Sequence, residues 1–298
     1  MAPTTRRPLA VAVIGSALVL LVAVAGYLAL RSLQPRPVAA PPPPPGCQAG
    51  TGVSAIPMGT DQAGIAATIA GVAARHQLPR QAVTIAYATA LQESQLQNLD
   101  YGTLDSVGVF QQRPSQGWGT TAELEDPVYA TTKFFAALVR VPGYTTIPVD
   151  QAAQDVQHSA DGEAYEQWVA LATLMSGYFT GAPAAGVSCW FPVAGRADLA
   201  GVLKALTTTF GPAGRGEVLA AITTDRSVEK KKYESVAVVR VRGDAGWAVA
   251  SWLVAYAQQY GLSQVRYAGY VWRAADGSMG WQRDTPAPGQ ARADIVAS

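Results

Sequence analysis

The spacing of hydrophobic and polar positions changes character along the chain, and each change marks an expected element. Residues 9–30, LAVAVIGSALVLLVAVAGYLAL, carry no charge. A helix of that length, at about 1.5 Å per residue, reaches across a hydrocarbon core of about 30 Å. The expectation is a single transmembrane helix behind a short cytoplasmic tail, residues 1–8. A linker of residues 31–60 follows, and its PRPVAAPPPPPG stretch tends to extended polyproline II geometry. From Asp61 the period turns helical, with Asp61 as N-cap and Ile65, Ile69 and Val72 on one face. Pro79 opens a second helix, residues 79–96, at a position proline tolerates. Further helices are expected at 126–140, 148–158 and 162–179, so residues 61–190 form a nearly all-helical body.

After Cys189 the pattern alternates differently. DLAGVLKALTTTF and GWAVASWLVAYAQQYG read as helices, whereas ESVAVVRVRG, QVRYAGYVWRA and SMGWQ read as strands. They predict a small α+β domain over 195–298. The fold class is therefore α+β overall: a transmembrane helix, an all-α body and a small α+β C-terminal domain.

Composition sharpens this picture at two points. Of 298 residues, 49% are hydrophobic and 14% charged, fewer charges than an average soluble chain carries, as a membrane segment requires. The formal net charge of +1 gives no basic stripe for nucleic acid, and EKKK at 229–232 is a short solvated run. The AVAG at residues 23–26 resembles a signal-peptidase site, but the apolar run continues through Leu30, which favours a retained anchor.

The two cysteines, Cys47 and Cys189, flank the helical body. An isolated pair so far apart suits a disulfide better than a metal site and places the body outside the cytoplasm; two buried thiols are the alternative. His76 and His158 are distant from one another, and no zinc spacing, nucleotide loop or serine nucleophile motif occurs. No metal and no cofactor are expected.

The candidate chemistry lies in ATALQESQLQNLDYGTLDSVGVFQQRP, residues 88–114. Ala82, Ile85, Ala86 and Thr89 form a stripe that leads to Glu93. An acid closing a buried stripe is costly unless it opens into a cleft, and such desolvation favours the protonated, proton-donating form of a carboxyl group.

The Glu93-Ser94 pair followed by DSVGVFQ resembles the lytic transglycosylase and lysozyme-like superfamily, in which a catalytic Glu-Ser ends a buried helix ahead of a Ser-x-x-Gly-Ala-x-Gly-Leu-Met-Gln loop. FQQRPSQGWGT, DPVYATTKFFAALVRVPGY and AAQDVQHSADGEAYEQW are similar to the version in actinobacterial cell-wall proteins, so the resemblance covers residues 60–170. It implies a lysozyme-like fold with Glu93 as catalytic acid, and with Gly108, Val109, Phe110 and Gln111 lining the cleft beside Ser106 and Gln112. Gln157 stands where the family has a polar asparagine. Val156 stands where the family has a tyrosine hydroxyl near the acid, and Tyr165 and Tyr129 are the tyrosines that could supply one instead. Asp105 replaces the first loop glycine.

The implied reaction is cleavage of peptidoglycan between N-acetylmuramic acid and N-acetylglucosamine, with Glu93 first as general acid and then as general base, closing a 1,6-anhydro ring. Two alternatives stand beside it. One is hydrolysis, with Asp105 positioning a water; the other is a non-catalytic glycan-binding or scaffold protein of a secretion or conjugation complex in the envelope. The partners are therefore glycan strands, the membrane through residues 9–30, and an envelope complex. Trp118, Tyr101 and Trp168 are candidate stacking subsites. Trp247, Trp252, Tyr256 and Tyr260 recur at helical spacing and read as core, while Tyr267, Tyr270, Trp272 and Trp281 on strands read as an exposed surface.

Overall fold

The computed structural model describes residues 22–28, 30–31, 43–158, 163–192, 196–214, 217–229, 232–241, 245–284 and 294–298. The chain divides into two units, Met1–Pro43 and Pro44–Ser298. In the first, residues 22–28 and 30–31 are helical (α1), with Val22, Tyr27, Leu28 and Leu30 exposed. Residues 9–21 and 29 of the expected span, the tail 1–8 and most of the proline run lie outside the described residues. Among the described residues, no helix is long and apolar enough to cross a membrane.

The second unit is mixed α+β. It begins inside the expected linker, where Gly46–Ala49 (β1) pairs antiparallel with Ile56–Met58 (β2) and with Val187–Trp190 (β3), in the order β2-β1-β3. Cys47 and Cys189 face each other in this register and are joined by a disulfide, as their isolation in the sequence suggested. The Trp190 indole donates to the Pro44 carbonyl at 2.7 Å and covers Gly46, pinning the chain where it enters the fold.

Thr60–Arg75 (α2) starts two residues earlier than expected. Gly59 is the N-cap, and Gln62 reaches back to accept from its backbone N–H at 2.9 Å. Asp61 instead lies in the first turn, where its charge complements the helix dipole. This helix is buried from Ala63 to Val72 and Ala73, so it is a central element. Its small residues let neighbours approach: a Cβ added at Gly71 would stand 2.5 Å from Thr209 and 3.0 Å from the Phe210 ring. Arg80–Ser94 (α3), Pro127–Leu138 (α5) and Val169–Thr180 (α7) pack against it, the short Thr121–Leu124 (α4) packs on α5, and Val149–Gln157 (α6) packs on α3 and α5.

The C-terminal part packs Leu199–Phe210 (α8), Gly246–Ala255 (α9) and Ala257–Tyr260 (α10) with a six-stranded sheet. Its strands are Leu219–Glu229 (β4), Lys232–Val241 (β5), Gln264–Tyr267 (β6), Tyr270–Arg273 (β7), Gln282–Arg283 (β8) and Asp294–Ala297 (β9). They lie in the order β4-β5-β9-β6-β7-β8, all pairs antiparallel, so the last strand of the chain sits inside the sheet. One hydrophobic core joins Ile69 and Phe179 to Phe210, Trp252 and Trp272.

The aromatic residues on the strands correct one expectation. Trp272 is fully buried and donates to the Cys189 carbonyl at 2.9 Å. Tyr267, Tyr270 and Trp281 surround Trp247 at ring distances of 5.0, 5.6 and 5.2 Å. Edge-to-face packing of this kind consumes the ring surface that a ligand would use.

Candidate active site

Glu93 is the penultimate residue of α3, a helix buried from Ala82 to Leu91. Its buried threonine hydroxyls find acceptors within the helix: Thr89 donates to the Ile85 carbonyl at 2.9 Å. The helix ends abruptly, since Gln95 and Leu96 both take left-handed backbone angles with φ of 57°. Two successive non-glycine residues in that region are uncommon and mark a built feature. The turn leaves Glu93 half-buried at the helix end and sends the chain into the loop of residues 97–113.

The Tyr165 hydroxyl donates to Glu93 Oε1 at 2.7 Å. Tyr165 is 1% exposed and sits on the 3-10 turn Glu163–Trp168. That turn is fastened to the end of α3 by Gln92, whose side-chain oxygen accepts from Trp168 Nε1 at 2.8 Å and from Gln167 Nε2 at 3.2 Å. Tyr129 does not supply the hydroxyl: it donates to the Trp118 carbonyl at 3.5 Å, with Lys133 above its ring. The tyrosine hydroxyl that meets Glu93 is therefore that of Tyr165, while Val156 is itself buried in α6.

The loop is held by polar side chains from the neighbouring helices. The Ser94 hydroxyl lies 2.7 Å from the Val109 carbonyl and 3.1 Å from that of Ala90. Gln157 Nε2 donates to the Phe110 carbonyl at 2.8 Å. Gln111 Nε2 donates to the carbonyls of Tyr101 and Gly108, both at 3.2 Å. Val107 and Gln112 pair through both backbone N–H groups, at 3.0 and 3.1 Å.

These bonds reassign several expected substrate contacts. Val109 and Phe110 are wholly buried, and Phe110 stacks on Phe134 at 4.5 Å, so they anchor the loop to the core instead of lining a cleft. Gly108, at φ 77°, is glycine because a Cβ would strike the Leu124 carbonyl; the close approach is to protein backbone. Ser106 and Gln112 are 6% and 2% exposed, and Gln112 Nε2 donates to the Ala130 carbonyl at 3.4 Å. Gln111 and Gln157 are partly exposed and brace the loop through their amide nitrogens.

Asp105 is also a strut. It accepts from Arg113 Nε at 2.8 Å, from the Ser115 backbone at 2.7 Å and from the Ser115 hydroxyl at 3.0 Å. The Arg113 guanidinium first, and then the Ser115 N–H, hold its carboxyl well below the usual aspartate range. Among the candidate aromatics, Trp168 is half-buried beside Glu93 through Gln92, Trp118 is half-buried, and Tyr101 is 68% exposed. Among the described residues, no group of three His, Cys, Asp or Glu side chains is arranged to hold a metal ion.

Gln92 is a positioning residue that the sequence did not single out, and Ser94, read there only as the partner of Glu93 in the Glu-Ser pair, is a second. The available signal was their adjacency to Glu93: one points to the turn that carries the tyrosine and the other to the loop. No known protein family matches the chain, and no curated protein matches it.

Proposed function

We propose that the chain is a lysozyme-like, peptidoglycan-cleaving enzyme of the lytic transglycosylase type, with Glu93 as its single acid and base. The observation that carries the reading is the Tyr165 hydroxyl on Glu93 Oε1. With that oxygen held, the proton resides on Oε2 and is aimed away from the tyrosine. It passes to the glycosidic oxygen between N-acetylmuramic acid and N-acetylglucosamine, and the bond to the muramyl C1 breaks. The Glu93 carboxylate, still hydrogen-bonded by Tyr165, then takes the proton of the muramyl C6 hydroxyl as O6 bonds to C1. The acid is regenerated and no water is consumed.

The one-acid course is supported by Asp105, whose two oxygens are engaged by Arg113 and Ser115. A hydrolytic route would need a second carboxylate with room for a water. The uncharged run 9–30 and the disulfide support an anchor in the cytoplasmic membrane with the body outside.

The test is to incubate the full chain, and its Glu93→Gln variant, with purified peptidoglycan and to identify the released fragments by mass spectrometry. Anhydro-muropeptides that vanish in the variant are the expected result. Reducing ends would assign a hydrolase, and co-sedimentation without release would assign a glycan-binding scaffold.

A further inference from the structure

Helix α7 packs along α3 in the opposite direction, and two polar contacts fix how far along it sits. The buried hydroxyls of Thr84 on α3 and Ser176 on α7 meet at 2.8 Å. Gln92 comes eight residues after Thr84, and Trp168 eight residues before Ser176. The second contact, from Trp168 Nε1 to Gln92 Oε1 at 2.8 Å, therefore repeats the register of the first about 12 Å further along α3. Apolar contact between the helices is non-directional. A hydrogen bond needs its partner at one distance and angle, so these two select the register.

Tyr165 moves with the second contact. Its turn, Glu163–Trp168, runs directly into α7, with Trp168 as the N-cap of that helix. A 3-10 turn has about three residues per turn, so side chains at i and i+3 eclipse. Tyr165 and Trp168 are so related, and both reach the end of α3, one at Glu93 and the other at Gln92. One face of one turn thus meets two consecutive residues. An indole N–H can only donate, so the atom it holds is the Gln92 oxygen, which also accepts from Gln167 Nε2 at 3.2 Å.

We infer that Trp168 is a positioning residue: its indole nitrogen, on Gln92, closes the seam between α3 and α7 in the register that delivers the Tyr165 hydroxyl to Glu93. The inference rests on Glu93 and Tyr165 being the working pair of the proposed reaction. The role belongs to the nitrogen, whereas a sugar-stacking role would belong to the ring, and Trp168→Phe separates the two. The Thr84–Ser176 contact is untouched in that variant, so α7 stays docked and only the turn is released; an unchanged midpoint in urea, within the loss of one hydrogen bond, checks this.

The full chain labelled with 3-fluorotyrosine gives a fluorine resonance for each of twelve tyrosines, and Tyr165→Phe assigns the signal of interest. Trp168→Phe is expected to move the Tyr165 signal, as Glu93→Gln does, and to slow the release of fragments from purified peptidoglycan about tenfold. Co-sedimentation with peptidoglycan is expected to be unchanged. Because Trp168 acts through Tyr165, the double variant Trp168→Phe/Tyr165→Phe is expected to be no slower than Tyr165→Phe alone.

A Tyr165 signal that stays fixed in Trp168→Phe, or rate losses that multiply in the double variant, would overturn the inference. So would Trp168→Phe that releases fragments at the wild-type rate while Trp168→Ala sediments less, the pattern of a stacking ring. Should the wild type release nothing, the proposed reaction falls, and the Tyr165 signal alone decides: moved by Trp168→Phe, the positioning role stands, and unmoved, it does not.

Discussion

The Tyr165 hydroxyl sits 2.7 Å from Glu93 Oε1, although 72 residues separate the two in the chain. Both are held from behind, Glu93 by a buried helix and Tyr165 by a turn clasped to Gln92. The pair is therefore preorganised: the tyrosine need not move to meet the acid.

Tyr165→Phe keeps the buried ring and removes only the donor. A hydrogen bond to a charged group contributes about 1.5–3 kcal/mol, so the release of glycan fragments is expected to slow about ten- to a hundredfold. Affinity for insoluble peptidoglycan, measured by co-sedimentation, is expected to be unchanged. Equal loss of both would make Tyr165 a packing residue.

Ser94→Ala removes the hydroxyl that joins the end of α3 to the Val109 carbonyl. The buried carbonyl loses its side-chain donor, and the cost is expected at about 1–2 kcal/mol in denaturant unfolding. Hydrogen exchange is expected to quicken at Val107 and Gln112, whose amides pair across the same loop.

Asp105 links the loop to pH. Its folded carboxyl lies below the unfolded value of about 3.9, so its contribution is complete above that value and is lost as pH falls towards the folded one. Arg113→Ala, by removing the first cause of the depression, is expected to bring the carboxyl back towards the ordinary range. A carbon-detected NMR titration of Asp105 in both proteins measures this, and an unchanged midpoint would refute the assignment.

Replacing Cys47 and Cys189 by serine opens a loop with a sequence separation of 142. Loss of such a link is expected to cost about 2–5 kcal/mol, read as a lower midpoint in urea and matched by the wild type under reductant.

The main helices and the acid were legible because both are local. A stripe of small and apolar residues implies burial, and Glu93 ends that stripe. Less legible were the roles of Val109 and Phe110: the sequence places them beside a glycine in a loop, but only the packing on Phe134 shows that an apolar side chain there is sheltered instead of presented. Tyr165 could be suspected but not assigned, because its approach depends on a turn and on Gln92. The order of the six-stranded sheet was illegible for a related reason. Strand β9 reaches its place between β5 and β6 from the far end of the chain, and no periodicity within a strand encodes its neighbours.

The bond between Cys47 and Cys189 also determines how mechanical load would travel. A pull applied at Pro44 and resisted anywhere beyond Trp190 passes from sulfur to sulfur, while the backbone between the two cysteines hangs as a closed ring that bears none of it. Glu93, Tyr165 and every residue that braces them lie on that ring. Tension applied along the chain between Pro44 and the residues beyond Trp190 would thus leave the distance between Glu93 and Tyr165 undrawn.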